Sequence, residues 1–211
     1  MKNRKSEAIL TVVLCLLPMV AGAILYNKLP QSVPTHFGVD GRPDGWSGRA
    51  FAVFGLPAII AALQALMLFG LRSDPKRQNM SPALRTIAVW TAPVVCMVVY
   101  AITMTNALGY NTHVEIIVPL LVGIVFILIG NYLPKTKQSY TMGIKLPWTL
   151  HSEENWNRTH RMAGFLWVIG GALMVLISLL HLWQVWMMLV IITVMVLVPT
   201  VYSYLLYKKG I

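Results

Sequence analysis

The chain is poor in charge, and the charge it has is mostly of one sign. Only 11% of its 211 residues are charged, with 17 Lys and Arg against 7 Asp and Glu. A typical soluble domain carries about 25% charged residues. Since 57% of the residues are hydrophobic and they form apolar runs of about 20 residues, lipid is the expected solvent for most of the chain.

Cysteine and recognisable catalytic motifs are scarce as well. Cys15 and Cys96 both lie in apolar runs, where a thiol behaves as a small hydrophobic group. This placement predicts neither a disulfide nor a two-cysteine metal site. The polar segments contain no H-E-x-x-H, no phosphate-binding glycine loop and no nucleophile motif. We therefore expect no cofactor, no metal and no enzymatic activity.

Six apolar segments are long enough to cross a membrane as helices. The first also resembles a secretory signal, but its apolar part is longer than a typical signal core. Ser81-Pro82 is typical of a helix start, and Thr112 and Glu115 have capping-box spacing. A short turn, Leu182-Trp183-Gln184, is predicted between the last two spans. The six spans cover about residues 8–26, 51–71, 82–108, 112–132, 163–181 and 185–207.

The distribution of basic residues predicts the orientation in the membrane. With both termini in the cytoplasm, the external side keeps only Lys28, Arg42 and Arg49 among all Lys and Arg. An excess of basic residues in cytoplasmic loops is the usual pattern of membrane proteins. It explains the net charge of +10 without a nucleic-acid partner, so the lipid bilayer is the partner expected from composition.

These features predict an all-α integral membrane protein with six transmembrane helices and a short cytoplasmic interfacial helix before the fifth. We expect a two-span unit over residues 1–72, with an extracytoplasmic loop at 27–50. A four-span unit follows over 73–211, with a polar cytoplasmic motif at 131–164.

The middle of each predicted span lacks Asp, Glu, Lys and Arg. Charged residues inside a membrane usually serve ion-coupled transport or proton relay, so their absence argues against a pump. A pore lined by polar residues remains an alternative, although we expect these side chains to form hydrogen bonds between helices. They are Gln64, Thr91, Thr103, Thr105 and Asn106.

The external loop is rich in turn-forming residues and carries two aromatic side chains. His36, Asp40 and Asp44 are potential metal ligands, but turns around Asp-Gly pairs are the simpler interpretation. Phe37 and Trp46 are suitable anchors for an extracellular peptide. The candidate residues of this loop are Pro34, His36, Phe37, Gly38, Asp44 and Trp46.

In the cytoplasmic motif, Ser152 is a predicted N-cap. Glu153 and Glu154 follow it in the first turn, where their negative charges interact favourably with the helix dipole. Trp156 and His160 are spaced to lie on one helix face, and Gly164 continues it. Three interpretations stay open: an interfacial helix with structural hydrogen bonds, a partner-binding surface, and acid–base chemistry by His160 with a neighbouring glutamate.

At these residues the chain resembles the SdpI family of bacterial membrane immunity proteins. The outer-loop residues resemble a small domain of unknown function that often precedes it. An arginine often stands in the family where this chain has Lys145, and lysine lacks the planar fork of arginine. The residues that carry the resemblance in the motif, together with neighbouring candidates, are Asn131, Thr141, Gly143, Lys145, Pro147, Trp148, Thr149, Glu154, Asn155, Trp156, Thr159, His160 and Arg161.

The resemblance implies a multi-pass protein of the bacterial plasma membrane that protects its producer from a secreted antimicrobial peptide toxin. It also implies sequestration of a cytoplasmic transcriptional repressor at the membrane, with sensing by the outer loop and response by the cytoplasmic motif. A transporter or exporter of a peptide or small solute is the alternative from another functional class.

Overall fold

The computed structural model describes residues 2–180 and 184–211. Six of its helices are long and apolar enough to cross a membrane, as predicted. The turn predicted at 182–184 falls largely on residues 181–183, which lie outside the described residues. The six spans are Arg4–Lys28, Phe51–Ser73, Pro82–Ala107, Val114–Lys135, Glu153–Leu180 and Trp186–Lys208.

The elements are helices, apart from two β-strands that lie between the first two spans. Pro18 separates the two helices of the first span, since proline lacks the N–H of a regular helix. Pro82 begins α4 as predicted, whereas α5 begins at Val114 rather than at Thr112. The elements are α1 (Lys2–Leu16), α2 (Pro18–Leu25), β1 (Ser32–Phe37), β2 (Pro43–Gly48), α3 (Leu56–Ser73), α4 (Pro82–Ala107), α5 (Val114–Tyr132), α6 (Pro147–His151), α7 (Glu153–Leu180) and α8 (Gln184–Lys208).

The external loop predicted at 27–50 contains an antiparallel β-hairpin, so the chain is mostly helical rather than all-α. β1 pairs with β2 from Ser32 opposite Gly48 to Phe37 opposite Pro43, with irregular register around His36. Gly41 turns the chain with φ of 75°, which favours glycine. The prediction missed the strands because Pro34 interrupts β1 and Gly45 interrupts β2.

The short helix before the fifth span is also placed differently from the prediction. We expected it to begin after Ser152, but α7 runs without interruption from Glu153 to Leu180, and the separate short helix is α6. Ser152 caps α7 as predicted, because its Oγ accepts the Asn155 N–H at 3.2 Å. The interfacial position of the short helix stays a prediction.

The chain folds into two compact units. The first comprises Met1–Phe69 and Ala88–Glu115, and the second comprises Gly70–Ile87 and Ile116–Ile211. Each unit therefore includes chain segments that are far apart in sequence. The predicted division of the chain into 1–72 and 73–211 stays a prediction.

In the first unit, polar side chains within the spans bond to backbone carbonyls. The buried Gln64 amide donates to the Val89 carbonyl at 2.9 Å and so joins α3 to α4. Thr105 instead bonds to carbonyls of its own helix. Asn106 donates to the Ile102 carbonyl of its own helix and to the Thr112 hydroxyl in the loop before α5. Cys15 and Cys96 are free and buried. The prediction of hydrogen bonds between helices is thus confirmed for Gln64 and wrong for Thr105, whose bonds stay within α4.

In the second unit, α5 and α7 approach each other at two glycine pairs. A Cβ on Gly171 would lie 2.6 Å from the Gly123 carbonyl oxygen, and a Cβ on Gly164 would lie 2.8 Å from the Gly130 carbonyl oxygen. Small residues allow this close helix packing in membranes. This seam holds the start of α7, and with it the polar motif, against the end of α5.

Gly171→Ala is expected to lower the free energy of unfolding by about 1–3 kcal/mol, because overpacking must push the two helices apart. The control is Gly70→Ala in α3, where a Cβ would meet its nearest atom at an ordinary 4.0 Å. Alanine favours a helix over glycine, so this control should keep or raise stability. Thermal unfolding in detergent measures both variants, and equal effects would contradict the seam.

Candidate functional site

The segment of residues 133–151, termed the motif loop, folds over the first turns of α7. The fully buried Trp156 donates its indole N–H to the Thr136 carbonyl at 2.8 Å. Gln138 donates from its amide to the Thr149 carbonyl at 2.9 Å, within the loop itself. These bonds hold a loop without long secondary structure in one conformation, since buried polar groups require partners.

His160 joins α7 to the motif loop with both ring nitrogens. Its Nε2 accepts the Ile144 N–H at 2.8 Å, and its Nδ1 lies 2.8 Å from the Trp156 carbonyl oxygen. Nε2 must therefore be unprotonated while Nδ1 carries the proton. The imidazole is fully buried and stacks on Trp156, with ring centroids 3.9 Å apart. Neither nitrogen is available for proton transfer with Glu153 or Glu154.

Gly143 makes room for this stacked pair. Its φ is 105°, which favours glycine. A Cβ there would lie 2.5 Å from His160 Nε2 and 2.7 Å from the Trp156 ring. Two independent constraints thus require glycine at this position.

Thr149 organises the start of α6. Its hydroxyl accepts the Leu146 N–H at 2.9 Å and donates to the Ile144 carbonyl at 2.8 Å. Pro147 stands at the first position of α6, where its missing N–H would have had no helical partner. Lys145 is exposed and donates to the Thr141 carbonyl at 3.2 Å. The predicted motif is therefore one hydrogen-bonded unit rather than a set of separate sites.

Asp74, which sequence reasoning missed, binds the centre of the motif loop. Its Oδ2 accepts the hydroxyls of Ser139 and Thr141, each at 2.7 Å, and the N–H groups of Tyr140 at 3.1 Å and Thr141 at 3.0 Å. Its Oδ1 accepts the Lys76 N–H at 2.7 Å. Burial acts to raise the pKa of this carboxyl, but the hydrogen bonds outweigh it and hold the pKa below its ordinary value.

A sequence signal for Asp74 did exist. Asp74 stands alone among acidic residues between Asp44 and Glu115, in a loop that is otherwise basic. Ser139 and Thr141, which bind it, are 65 and 67 residues away. That separation hides the pairing from any local pattern.

Asn155 joins the start of α7 to the end of α8. Its amide donates to the carbonyls of Ser203 at 3.0 Å and Ile211 at 3.1 Å. Its oxygen accepts the hydroxyls of Ser203 at 2.7 Å and Thr159 at 3.2 Å. Asn155, Thr159 and Ser203 are all fully buried, so this network is structural. Sequence reasoning missed Ser203, which looks like an ordinary polar residue in a span.

Trp148 packs on the end of α8. Its ring lies 5.5 Å from that of Tyr204 and 6.1 Å from that of Tyr207, between ring centroids. Its buried indole N–H has no hydrogen-bond partner within the described residues. Lys208 lies 5.9 Å from the centroid of the Tyr204 ring. Aromatic and basic residues of this kind are typical of a membrane–water boundary.

The predicted motif residues fall into two groups. Thr149, Asn155, Trp156, Thr159 and His160 are fully buried, with Thr141, Gly143 and Trp148 partly buried around them. The second group is exposed, and its member Glu154 pairs with Arg158 at 2.5 Å. The exposed residues are Asn131, Lys145, Pro147, Glu154 and Arg161.

The hairpin brings some of the outer-loop candidates together. His36 pairs with Asp44, and both side chains are more than half exposed. Pro34 is buried, whereas Trp46 is 57% exposed. Asp40 pairs with Arg42 instead. Within residues 2–180 and 184–211, no group of three His, Cys, Asp or Glu side chains is placed to hold a metal ion.

In a comparison with known proteins, an N-terminal and a C-terminal segment of the chain each match a family. Residues 135–203 match the SdpI/YfhL protein family, and residues 13–61 match a domain of unknown function, DUF1648. Immunity protein SdpI of Bacillus subtilis (strain 168) is 25% identical over 202 residues, which cover 95% of this chain and 96% of that protein. No solved structure matches the chain. The resemblance expected from the motifs is confirmed.

Proposed function

Because the chain is a multi-pass bacterial membrane protein that carries an SdpI/YfhL family domain, we propose that it is an immunity protein. In this proposal it protects the cell that carries it from a secreted antimicrobial peptide. The observation that carries the proposal is the alignment with Immunity protein SdpI, which extends over 95% of the chain. Hairpin and motif loop are both included in that length.

The contacts in the second unit support a cytoplasmic position for the motif loop. Asp74 follows the second span and bonds to Ser139, which follows the fourth. Asn155, at the start of the fifth span, bonds to Ser203 near the end of the sixth. These segments are separated by even numbers of crossings, as the predicted topology requires. Their many basic residues favour the cytoplasmic side, with both termini there.

We place the response to toxin on the exposed side chains around the motif loop, and the proposal includes sequestration of a repressor there. Lys145 and Arg161 are exposed. An acidic patch on a cytoplasmic protein would complement the positive charge of these two side chains. We propose a non-enzymatic role, since the ring nitrogens of His160 are both occupied.

The direct test is survival of a toxin-sensitive host exposed to culture supernatant of the bacterium that carries the gene. The wild-type protein should raise survival, and Trp46→Ala should reduce the gain by about tenfold if Trp46 is a central anchor. Tyr110→Ala is the matched control, because Tyr110 is a 68% exposed aromatic residue outside the hairpin. Survival that is unchanged by the wild-type protein would refute immunity. Toxin pumped by the protein across reconstituted vesicles would make it an exporter.

The response is tested with a reporter under the gene's own promoter. We expect supernatant to raise reporter activity in cells with the wild-type protein. Arg161→Glu should abolish that rise but leave survival intact, because the reversed charge repels an acidic partner. Arg42→Glu, at an exposed basic residue of the hairpin turn, is the control. An unaltered reporter response in Arg161→Glu would contradict the assignment of this surface.

A further inference from the structure

The hairpin has two outer edges, and their backbone groups can be assigned from the register. The Arg49 N–H donates to the Gln31 carbonyl at 3.0 Å, so these residues form a hydrogen-bonded pair. Hydrogen-bonded and non-hydrogen-bonded pairs alternate along antiparallel strands. Ser32 and Gly48 are the next pair, and Pro34 and Trp46 lie two residues further. Both are non-hydrogen-bonded pairs, whose N–H and C=O groups point away from the opposite strand.

The edge of β1 is blocked, while the edge of β2 is open. Pro34 has no N–H and is buried, a usual way to protect a strand edge. On β2, Trp46 presents an N–H and a C=O outward, and Gly48 presents an N–H. The Gly48 C=O instead accepts the first bond of the helical turn that begins at Arg49. In the part of the chain that the structure describes, the sheet has two strands, β1 and β2, so no third strand pairs with these three outward groups. Gly48 is exposed, and a Cβ built on it meets nothing within 4 Å, so the face of the strand at this residue is open.

The side chains of β2 also suit an incoming strand. Asp44, Trp46 and Gly48 are exposed and alternate with less exposed residues. The indole of Trp46 offers a large apolar contact on one face of any added strand. Asp44 is paired with His36, so it adds no unpaired charge to the edge.

We propose that the outer edge of β2 binds an extended peptide segment, which adds to the hairpin as a third strand. Only another extended backbone presents donors and acceptors at the spacing that Trp46 and Gly48 require. An apolar residue of the peptide packs on Trp46. The inference rests on the proposed function in one respect: the natural occupant is a segment of the secreted peptide from which the protein protects the cell.

The test uses full-length protein in lipid nanodiscs and a fluorescent synthetic octapeptide of alternating valine and threonine as the probe. Gly48→Pro removes an outward N–H without removing a bond between β1 and β2. Ser32→Pro makes the same change at the directly opposite residue, on the blocked edge. A second probe is the octapeptide methylated on alternate backbone nitrogens, which cannot pair with the edge of the unaltered protein. Fluorescence anisotropy measures binding.

We expect Gly48→Pro and backbone methylation each to weaken binding at least tenfold, while Ser32→Pro changes it less than twofold. Equal binding of the methylated and unmethylated peptides would overturn the proposal even if Gly48→Pro failed to fold. Equal effects of the two proline variants would overturn it as well. Self-association of the wild-type protein that Gly48→Pro abolishes would assign the edge to a second copy instead. Survival is measured separately, so immunity without edge binding and edge binding without immunity are distinguishable results.

Discussion

Asp74→Asn is expected to lower the free energy of unfolding by about 3 kcal/mol. The carboxylate is 4% exposed and accepts hydrogen bonds from two hydroxyls and three backbone N–H groups. Asparagine keeps one oxygen and turns an NH2 group toward N–H donors, which cannot become acceptors. Hydrogen bonds to charged groups contribute about 1.5–3 kcal/mol each, and buried groups left without partners add a further cost. Thermal unfolding in detergent at neutral pH measures the loss.

The pH dependence separates this carboxylate from a simple packing defect. The pKa of Asp74 is lower in the folded protein than its ordinary value. Its contribution is therefore complete above the pKa of an unfolded aspartate, about 4, and is lost as the pH falls through the lower folded pKa. The difference in stability between the wild-type protein and Asp74→Asn should shrink as the pH falls below about 4.

Asp40→Asn is the matched control, because Asp40 is exposed and accepts one backbone N–H, that of Arg42 at 3.1 Å. Its effect should stay within about 0.5 kcal/mol, as for most surface substitutions. Equal losses in Asp74→Asn and Asp40→Asn would show that the bonds to the motif loop do not stabilise the fold.

Gly143→Ala is expected to lower the free energy of unfolding by a similar amount, for a different physical reason. Backbone strain at a φ of 105° costs on the order of 1–3 kcal/mol. The added methyl group must also displace the His160 and Trp156 rings, which are buried on all sides. Overpacking of this kind costs about 1–3 kcal/mol more. The variant should lose the bond from the Ile144 N–H to His160, with a lower unfolding temperature and altered tryptophan fluorescence.

Gly109→Ala isolates the backbone contribution to that loss. Gly109 has a φ of 89°, and a Cβ there meets nothing within 4 Å. The variant should therefore show strain alone and a smaller loss of stability than Gly143→Ala. If the two variants lose the same stability, the stacked pair tolerates the methyl group and the packing argument is wrong. Nuclear magnetic resonance of the His160 ring nitrogens gives the direct readout of the bond.

Local features of the sequence determined the helical spans and several of their ends. An apolar run of about 20 residues predicts a membrane helix from composition alone, and six such helices are present. Pro82 and Ser152 marked helix starts correctly, because a first-turn proline and an N-cap act on residues within one turn. The SdpI/YfhL resemblance came from side chains at fixed spacing in the same way.

The tertiary structure alone decided which polar residues stabilise the motif and which face outward. Spacing placed Trp156 and His160 on one face of a helix, but their burial depends on Gly143 and Thr136 in the loop that covers them. The hairpin likewise depends on pairing between strands that local sequence specifies weakly. Asp74 is the clearest case. In the sequence it is one acidic residue in a basic loop, and it binds the motif loop through hydroxyls that are 65 and 67 residues away. Local patterns carry no information on such contacts, because chain folding alone brings these groups together.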